Sequence, residues 1–397
     1  MTTRASAEEG SRVAERGVIR RTGQLLVLEA ALYGAVAPLL PHYAHVLHVS
    51  KAAAGILAGS YAAGLLLGSV VGTWVIARVG VRRTTVVGLC ALAAATAVFG
   101  FASSITLLDA VRVVQGLAAG VIWCGALTWV MAIAPVQRRG EVLGSAIGAA
   151  VVGTVLGPLI GTVAVATSTE GTFAAVAVIA LGLAARTARQ AEPHELPVGP
   201  RPPLRRLIGD SRLLLGFWLV LSLGLTFGAL SALLPLRLSR FGGSNLAIGA
   251  VFVFSAVLSA LATTPIGRLV DRDGLRRVLA VGLALSALLL VLLPLPQAAL
   301  PLALLGVLAL ALPLGVCVVP ATSLLTQSAE RAGLAISGGT MLFIVSWAIG
   351  EMLGAPLAAR LSQATADAVP LSLLAGLLVV SVAVVGPVMS SRARFAS

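Results

Sequence analysis

Long apolar runs alternate with short polar interruptions along the whole chain. The runs fall at residues 24–46, 52–76, 84–103, 106–134, 142–166 and 172–185, and then at 213–236, 246–266, 278–295, 299–325, 333–359 and 368–388. A helix needs roughly 20 apolar residues to cross a hydrocarbon core, and 172–185 is the shortest of the twelve. Lipid cannot satisfy an open backbone hydrogen bond, so every run is predicted to be helical. The pattern therefore predicts an all-α membrane protein with twelve transmembrane helices.

Composition agrees. Of 397 residues, 58% are hydrophobic and 11% charged, where a soluble domain carries about a quarter charged. The net charge of +13 raises the question of a nucleic-acid partner, and the placement of the charges answers it. The N-terminal tail, alternate links and the C-terminal tail hold nearly all the arginines, among them Arg78, Arg82, Arg83, Arg138, Arg139, Arg205, Arg206, Arg272, Arg276, Arg277, Arg331, Arg392 and Arg394. The other links carry Lys51, Arg237, Arg240 and Arg360. Short-loop arginine excess marks the cytoplasmic side, so both termini are expected in the cytoplasm of a cell expressing the protein in its plasma or inner membrane. The positive charge is a topology signal, and no nucleic acid is expected. Arg12, Arg16, Arg20 and Arg21 precede a first run that continues past Pro38 and Pro41, which predicts a retained anchor rather than a cleaved signal.

A proline- and charge-rich stretch between the sixth and seventh runs divides the chain. The expected organisation is a tail (1–23), a six-helix bundle (24–188), a cytoplasmic linker (189–212), a second six-helix bundle (213–390) and a short tail (391–397). The halves repeat. "ARVGVRR" ends at Arg83 and "DRDGLRR" at Arg277, 194 residues later, while Gly157-Pro158 has a counterpart in Ala355-Pro356. Two pseudo-symmetric bundles are a transporter architecture, with a substrate site expected between them near the midplane.

Charged groups inside the runs are scarce. Arg112 opens "RVVQGLAAG", with Gly116 and Gly120 on the same helix face, clearing room for a neighbouring helix or a water-filled path. An intramembrane arginine costs about 2.5–3.5 kcal/mol on insertion scales, which favours an acidic partner or a wet cavity. Snorkelling to the surface is the other reading, because the run starts only a turn or two away. Glu29 and Glu351 are the two glutamates well inside apolar runs, and Asp109 sits near a run's end. Buried carboxyls of this kind build proton relays, although Glu29 could equally pair with a tail arginine. Tyr33, Gln115, Trp123 and Trp347 are candidate cavity residues, the aromatic ones able to stack on a flat or cationic substrate, with packing as the alternative. His42, His45 and His48 lack an acid or cysteine beside them and read as an interfacial stripe, so no metal site is expected. Cys90, Cys124 and Cys317 read as small packing residues.

These features resemble the major facilitator superfamily over nearly the whole chain. "GRLVDRDGLRR" is similar to that family's cytoplasmic loop signature, through Gly267, Asp271, Arg272, Gly274, Arg276 and Arg277. The first-half copy keeps Gly80, Arg82 and Arg83 but has Ala77 in place of the aspartate, and Gly72 is one place off. If the aspartate latches a cytoplasmic gate, the first-half latch is missing or replaced. "GSAIGAAVVGTVLGPLIG" resembles the family's antiporter signature through Gly144, Gly153, Gly157, Pro158 and Gly161, with Thr162 at its final glycine. "RVVQG" is similar to its fourth-helix motif, and that resemblance assigns Arg112 to proton coupling.

The resemblance implies the major facilitator fold and, in the twelve-span drug:proton antiporters, export of small hydrophobic or cationic compounds. The implied partners are a small-molecule substrate, protons and the bilayer, with Glu29 and Glu351 joining Arg112 in coupling. A monomer is expected. No Walker sequence and no nucleophile–base arrangement appears, so neither an enzyme nor a cofactor is expected. A proton-coupled importer of an amino acid, sugar or organic acid remains open, as does a lipid flippase or a non-transporting scaffold.

Overall fold

The computed structural model describes residues 2–134, 139–192, 207–295, 299–334 and 336–390. Within them the regular elements are α-helices, and twelve stretches are long and apolar enough to cross a membrane, as the sequence pattern predicts. The first crossing is made by two helices, α1 (Thr2–Gly34) and α2 (Val36–Val46), which meet at Ala35. Then follow α3 (Lys51–Val79), α4 (Val81–Phe101), α5 (Ile105–Ile133), α6 (Arg139–Ala166) and α7 (Thr169–Ala188). Further on come α8 (Ser211–Arg240), α9 (Asn245–Asp273), α10 (Leu275–Leu292), α11 (Leu300–Arg331), α12 (Ile336–Ala364) and α13 (Ala368–Ser390). Arg138, Arg205, Arg206, Arg392, Arg394 and most of the expected linker lie outside the described residues. The run read as 172–185 is a full-length helix, because polar residues at both ends (Thr169, Glu170, Arg186, Thr187) continue its backbone.

Serine and glycine set the helix ends. At the arginine-poor end, Ser50, Ser104, Ser168 and Ser244 each accept a hydrogen bond from the backbone N–H three residues on, at 3.0–3.3 Å. Each satisfies one of the orphan donors of a helix start without adding a charge. At the arginine-rich end, Gly80 and Gly274 turn the chain with φ of +87° and +83°. Only glycine adopts that conformation freely. The 194-residue repeat in sequence is thus a repeat in backbone conformation.

Two hydrophobic cores form, one chiefly from residues between Leu25 and Ala184, the other from residues between Leu213 and Val385. Glycines bring several helices to backbone contact, as small residues do where lipid gives no hydrophobic drive for association. Gly64, Gly68 and Gly72 of α3 face Val113, Leu117 and Val121 of α5, and Gly116 and Gly120 of α5 face Tyr61 and Leu65 of α3. The space the glycines clear beside Arg112 is therefore filled by a neighbouring helix. Gly153, Gly157 and Gly161 of α6 lie against α1 and Ala35, while Gly350 and Gly354 of α12 lie against α8. Gly144 meets nothing within 4 Å and takes no part in that contact.

A Cβ on Gly157 would stand 2.7 Å from Gly34 Cα and 2.8 Å from the Ala31 carbonyl, both backbone atoms that cannot swing aside. Gly157→Leu is expected to insert in the membrane but lose transport by tenfold or more, since overpacking costs about 1–3 kcal/mol. Transport assays on membranes with matched protein amounts check this, and unchanged transport would return the contact to passive packing.

Candidate functional site

Arg112 is 2% exposed and points inward from α5. The break at Ala35 leaves the last carbonyls of α1 available, and the guanidinium takes them. Nη1 donates to Leu32 O at 3.2 Å and to Gln115 Oε1 at 3.1 Å, while Nη2 donates to Tyr33 O at 3.4 Å. A cation at a helix C-terminus also meets the negative end of the helix dipole. The guanidinium carbon stands 4.3 Å from the centroid of the Tyr61 ring, a cation–π contact strengthened by the burial of both groups. Gln115 in turn donates to Thr96 Oγ1 at 3.2 Å, so it positions the arginine. The immediate partners of Arg112 are thus carbonyls, an amide and a ring, rather than an acid.

The two glutamates lie close by, each 4% exposed. Glu29 of α1 accepts from the Tyr61 hydroxyl at 2.6 Å on Oε1 and from the Trp123 indole at 2.7 Å on Oε2. Glu351 of α12 accepts from the Tyr33 hydroxyl, and the Trp347 indole also reaches it. Tyr33 belongs to α1, so this bond joins the two halves of the chain. The Tyr33 and Tyr61 rings are 5.6 Å apart, which closes the sequence Trp123, Glu29, Tyr61, Tyr33, Glu351, Trp347. Phe227 and Phe343 flank Trp347 at 5.2 and 5.8 Å. All seven residues read from the sequence as coupling or cavity groups fall in this cluster. Tyr61 was missing from that reading. Its signal is a polar aromatic residue among the glycines of "AGSYAAGLLLG", legible only once α3 is known to pack on α5.

At the arginine-rich end, where Ala77 stands in place of the aspartate, a carboxylate from just beyond the end of α7 reaches the turn. Glu192 accepts from the Arg82 backbone N–H at 3.1 Å and pairs with its guanidinium at 3.5 Å, and Arg82 also donates to Gln190 O at 2.9 Å. The carboxylate fits only because Gly80 has no side chain: a Cβ there would sit 2.6 Å from Glu192 Oε1. Arg276, 194 residues after Arg82, comes beside Gly386 near the end of α13. The side-chain surroundings of Gly267 and Asp271 lie outside the described residues.

The arginine-poor end is closed by one carboxylate. Asp367, between α12 and α13, receives Lys51 Nζ at 2.6 Å, with Arg237 and Arg240 at 3.6 and 3.7 Å. Lys51 also donates to Ser362 Oγ at 2.6 Å, and the Ala52 N–H to Gln363 Oε1 at 2.9 Å. Lys51 starts α3, so these bonds tie the first half to the second. Below them Gly55 and Gly59 of α3 sit against Ala359 and Pro356 of α12. A cavity of about 260 Å³ opens alongside, lined in part by His45, Lys51 and Arg240. His42 and His48 lie on the same exposed edge, and among the described residues no group of three His, Cys, Asp or Glu side chains is placed to hold a metal.

Twelve crossing helices, a buried charged cluster between two cores and a closed end define a membrane transporter. The Major Facilitator Superfamily model matches residues 25–351, and the chain belongs to that family. It is similar to the MFS-type transporter ppzB of Metarhizium rileyi, at 30% identity over 129 residues, covering 30% of this chain and 26% of that protein. The match thus spans about a quarter of that relative's length. It is also similar to the uncharacterized MFS-type transporter YcaD of Shigella flexneri serotype 5b, at 28% identity over 364 residues, covering 89% of this chain and 90% of YcaD. In fold it matches the crystal structure of a bacterial homologue of the human lysosomal transporter Spinster in an inward-facing, occupied conformation. That likeness has a TM-score of 0.78 and 15% identity, covering 94% of this chain and 96% of the other.

Proposed function

We propose that this transporter is a proton-coupled exporter of small hydrophobic or cationic compounds, working as a monomer. The supporting observation is the pair of buried carboxylates, Glu29 and Glu351, held by aromatic O–H and N–H groups and drawn one from each half of the chain. In this reading residues 24–188 and 213–390 rock as two bundles about the cluster. Arg112, Glu29 and Glu351 couple protons to that motion, and Tyr33, Trp123 and Trp347 offer faces to a lipophilic cation. The glycine-and-proline contact of α6 with α1 supports the antiporter resemblance. The test is accumulation of fluorescent lipophilic cations in cells with and without the protein, with and without an uncoupler. Lower accumulation that an uncoupler reverses supports the reading. Raised uptake of a nutrient instead would favour an importer, and no effect on either would favour a scaffold.

The same reading places both termini and the 193–203 linker in the cytoplasm. Reporter tags at the C-terminus and in that linker are expected to report the cytoplasmic side. A periplasmic or external linker tag would overturn the orientation.

A further inference from the structure

We infer that Tyr61 is the positioning residue that holds Arg112 and Glu29 apart while linking them, and that its hydroxyl is the reversible partner of the Glu29 proton. The inference rests on the proton-coupling reading above. Tyr61 touches both charges with different parts of one side chain, its hydroxyl 2.6 Å from Glu29 Oε1 and its ring 4.3 Å from the Arg112 carbon. Its backbone is pinned as well, because the Tyr61 carbonyl packs on Gly116, one turn along α5 from Arg112. A direct ion pair would occupy both charges, and neither could change partners without stranding the other in an apolar interior. The phenol removes that constraint.

The two donors on Glu29 are not equivalent. An indole N–H can only donate, whereas a phenol can donate or accept. Trp123 therefore holds Oε2 permanently. A proton arriving on Oε1 is accommodated when the Tyr61 O–H turns away and its oxygen accepts instead, so the hydrogen bond reverses while every covalent bond of Tyr61 stays intact. The charged and titratable groups around Glu29 are Tyr33 on α1, Tyr61 on α3, Arg112 on α5 and, beyond Tyr33, Glu351 on α12. α6 meets this part of α1 with Ala146, Ala150 and Gly153.

The experiment uses the full chain in proteoliposomes, with tetraphenylphosphonium as the probe and a pH-sensitive dye inside. Tyr61→Phe keeps the ring under Arg112 and deletes the bond to Glu29. It is expected to retain downhill movement within about twofold while the pH midpoint of uphill movement is displaced by about one to two units, the worth of one hydrogen bond to a charged group. Tyr61→Leu, which deletes the stack too, is expected to lose downhill movement as well. Difluorotyrosine at position 61 preserves shape and stacking while acidifying the hydroxyl, and is also expected to displace the midpoint. A wild-type pH profile in both the Phe and difluorotyrosine proteins overturns the role of Tyr61. Wild-type uphill transport by both Glu29→Gln and Glu351→Gln sinks the proton-coupling reading instead, so the two failures are told apart.

Discussion

Glu29→Gln and Glu351→Gln are each expected to abolish uphill transport while leaving downhill exchange in place. Glutamine keeps the shape of the side chain and an oxygen that accepts from Tyr61 or Tyr33, but it carries no exchangeable carboxyl proton. Each coupled proton moving down one pH unit supplies about 1.4 kcal/mol, a tenfold accumulation. The expected accumulation ratio in either variant is therefore about one. Arg112→Ala should do more damage than Arg112→Lys. Alanine leaves the α1 carbonyls and Gln115 without their donor, whereas lysine keeps a charge but lacks the planar fork that serves Leu32, Tyr33 and Gln115 together. Proton-gradient-driven substrate movement in proteoliposomes checks each variant. Should both glutamine variants accumulate substrate like the wild type, the carboxyls are structural and Arg112 is a helix cap.

Asp367→Asn is expected to part the arginine-poor ends of the two halves. The change removes the negative charge facing Lys51, Arg237 and Arg240, of which Arg240 is half exposed and Lys51 one-fifth. Solvent screens part of the interaction, so the loss is about 1–2 kcal/mol, equivalent to a 5–30-fold change in the ratio of closed to open conformations. Spin labels on Thr167 and Thr365, both exposed at this end, report it as a longer distance gaining population in pulsed electron-spin measurements. Lys51→Met should act in the same direction, because Lys51 is the cation contributed by the first half. An unchanged distance distribution would mean that the backbone contacts of Gly55 and Gly59 alone hold the end shut.

Helix number and the glycine-lined faces were legible because they follow from one-dimensional signals: run length, small-residue spacing and arginine placement. The scarcity of charge inside the runs pointed to Arg112, Glu29 and Glu351 without any knowledge of packing. What the sequence could not supply was how these groups are satisfied. An acidic partner or a wet cavity was expected beside Arg112, and the structure puts the last carbonyls of α1 there, available because that helix ends just before Ala35. Pro38 marks the place, since it lacks the N–H that would bond Gly34 four residues back, but nothing local shows which group takes the freed carbonyls. Tyr61 and Asp367 escaped for a related reason. Each matters through partners tens to hundreds of residues away, and nothing local distinguishes Asp367 from an ordinary loop aspartate. Glu192 is similar: it lies past the end of α7 and meets Arg82 from 110 residues away.

The backbone contact between α3 and α5 has a mechanical consequence. Side-chain layers between helices can be compressed, tilted or repacked, but Gly64, Gly68, Gly116 and Gly120 leave no such layer to yield. The two helices are a single stiff beam. Lys51 and Tyr61 lie on that beam ten residues apart, about 15 Å at the rise of an α-helix. A small rotation of the beam at the buried cluster therefore becomes a proportionate sideways throw of the Lys51 ammonium. Because its bond to Asp367 is short-ranged, a throw of an ångström or two is enough to release it.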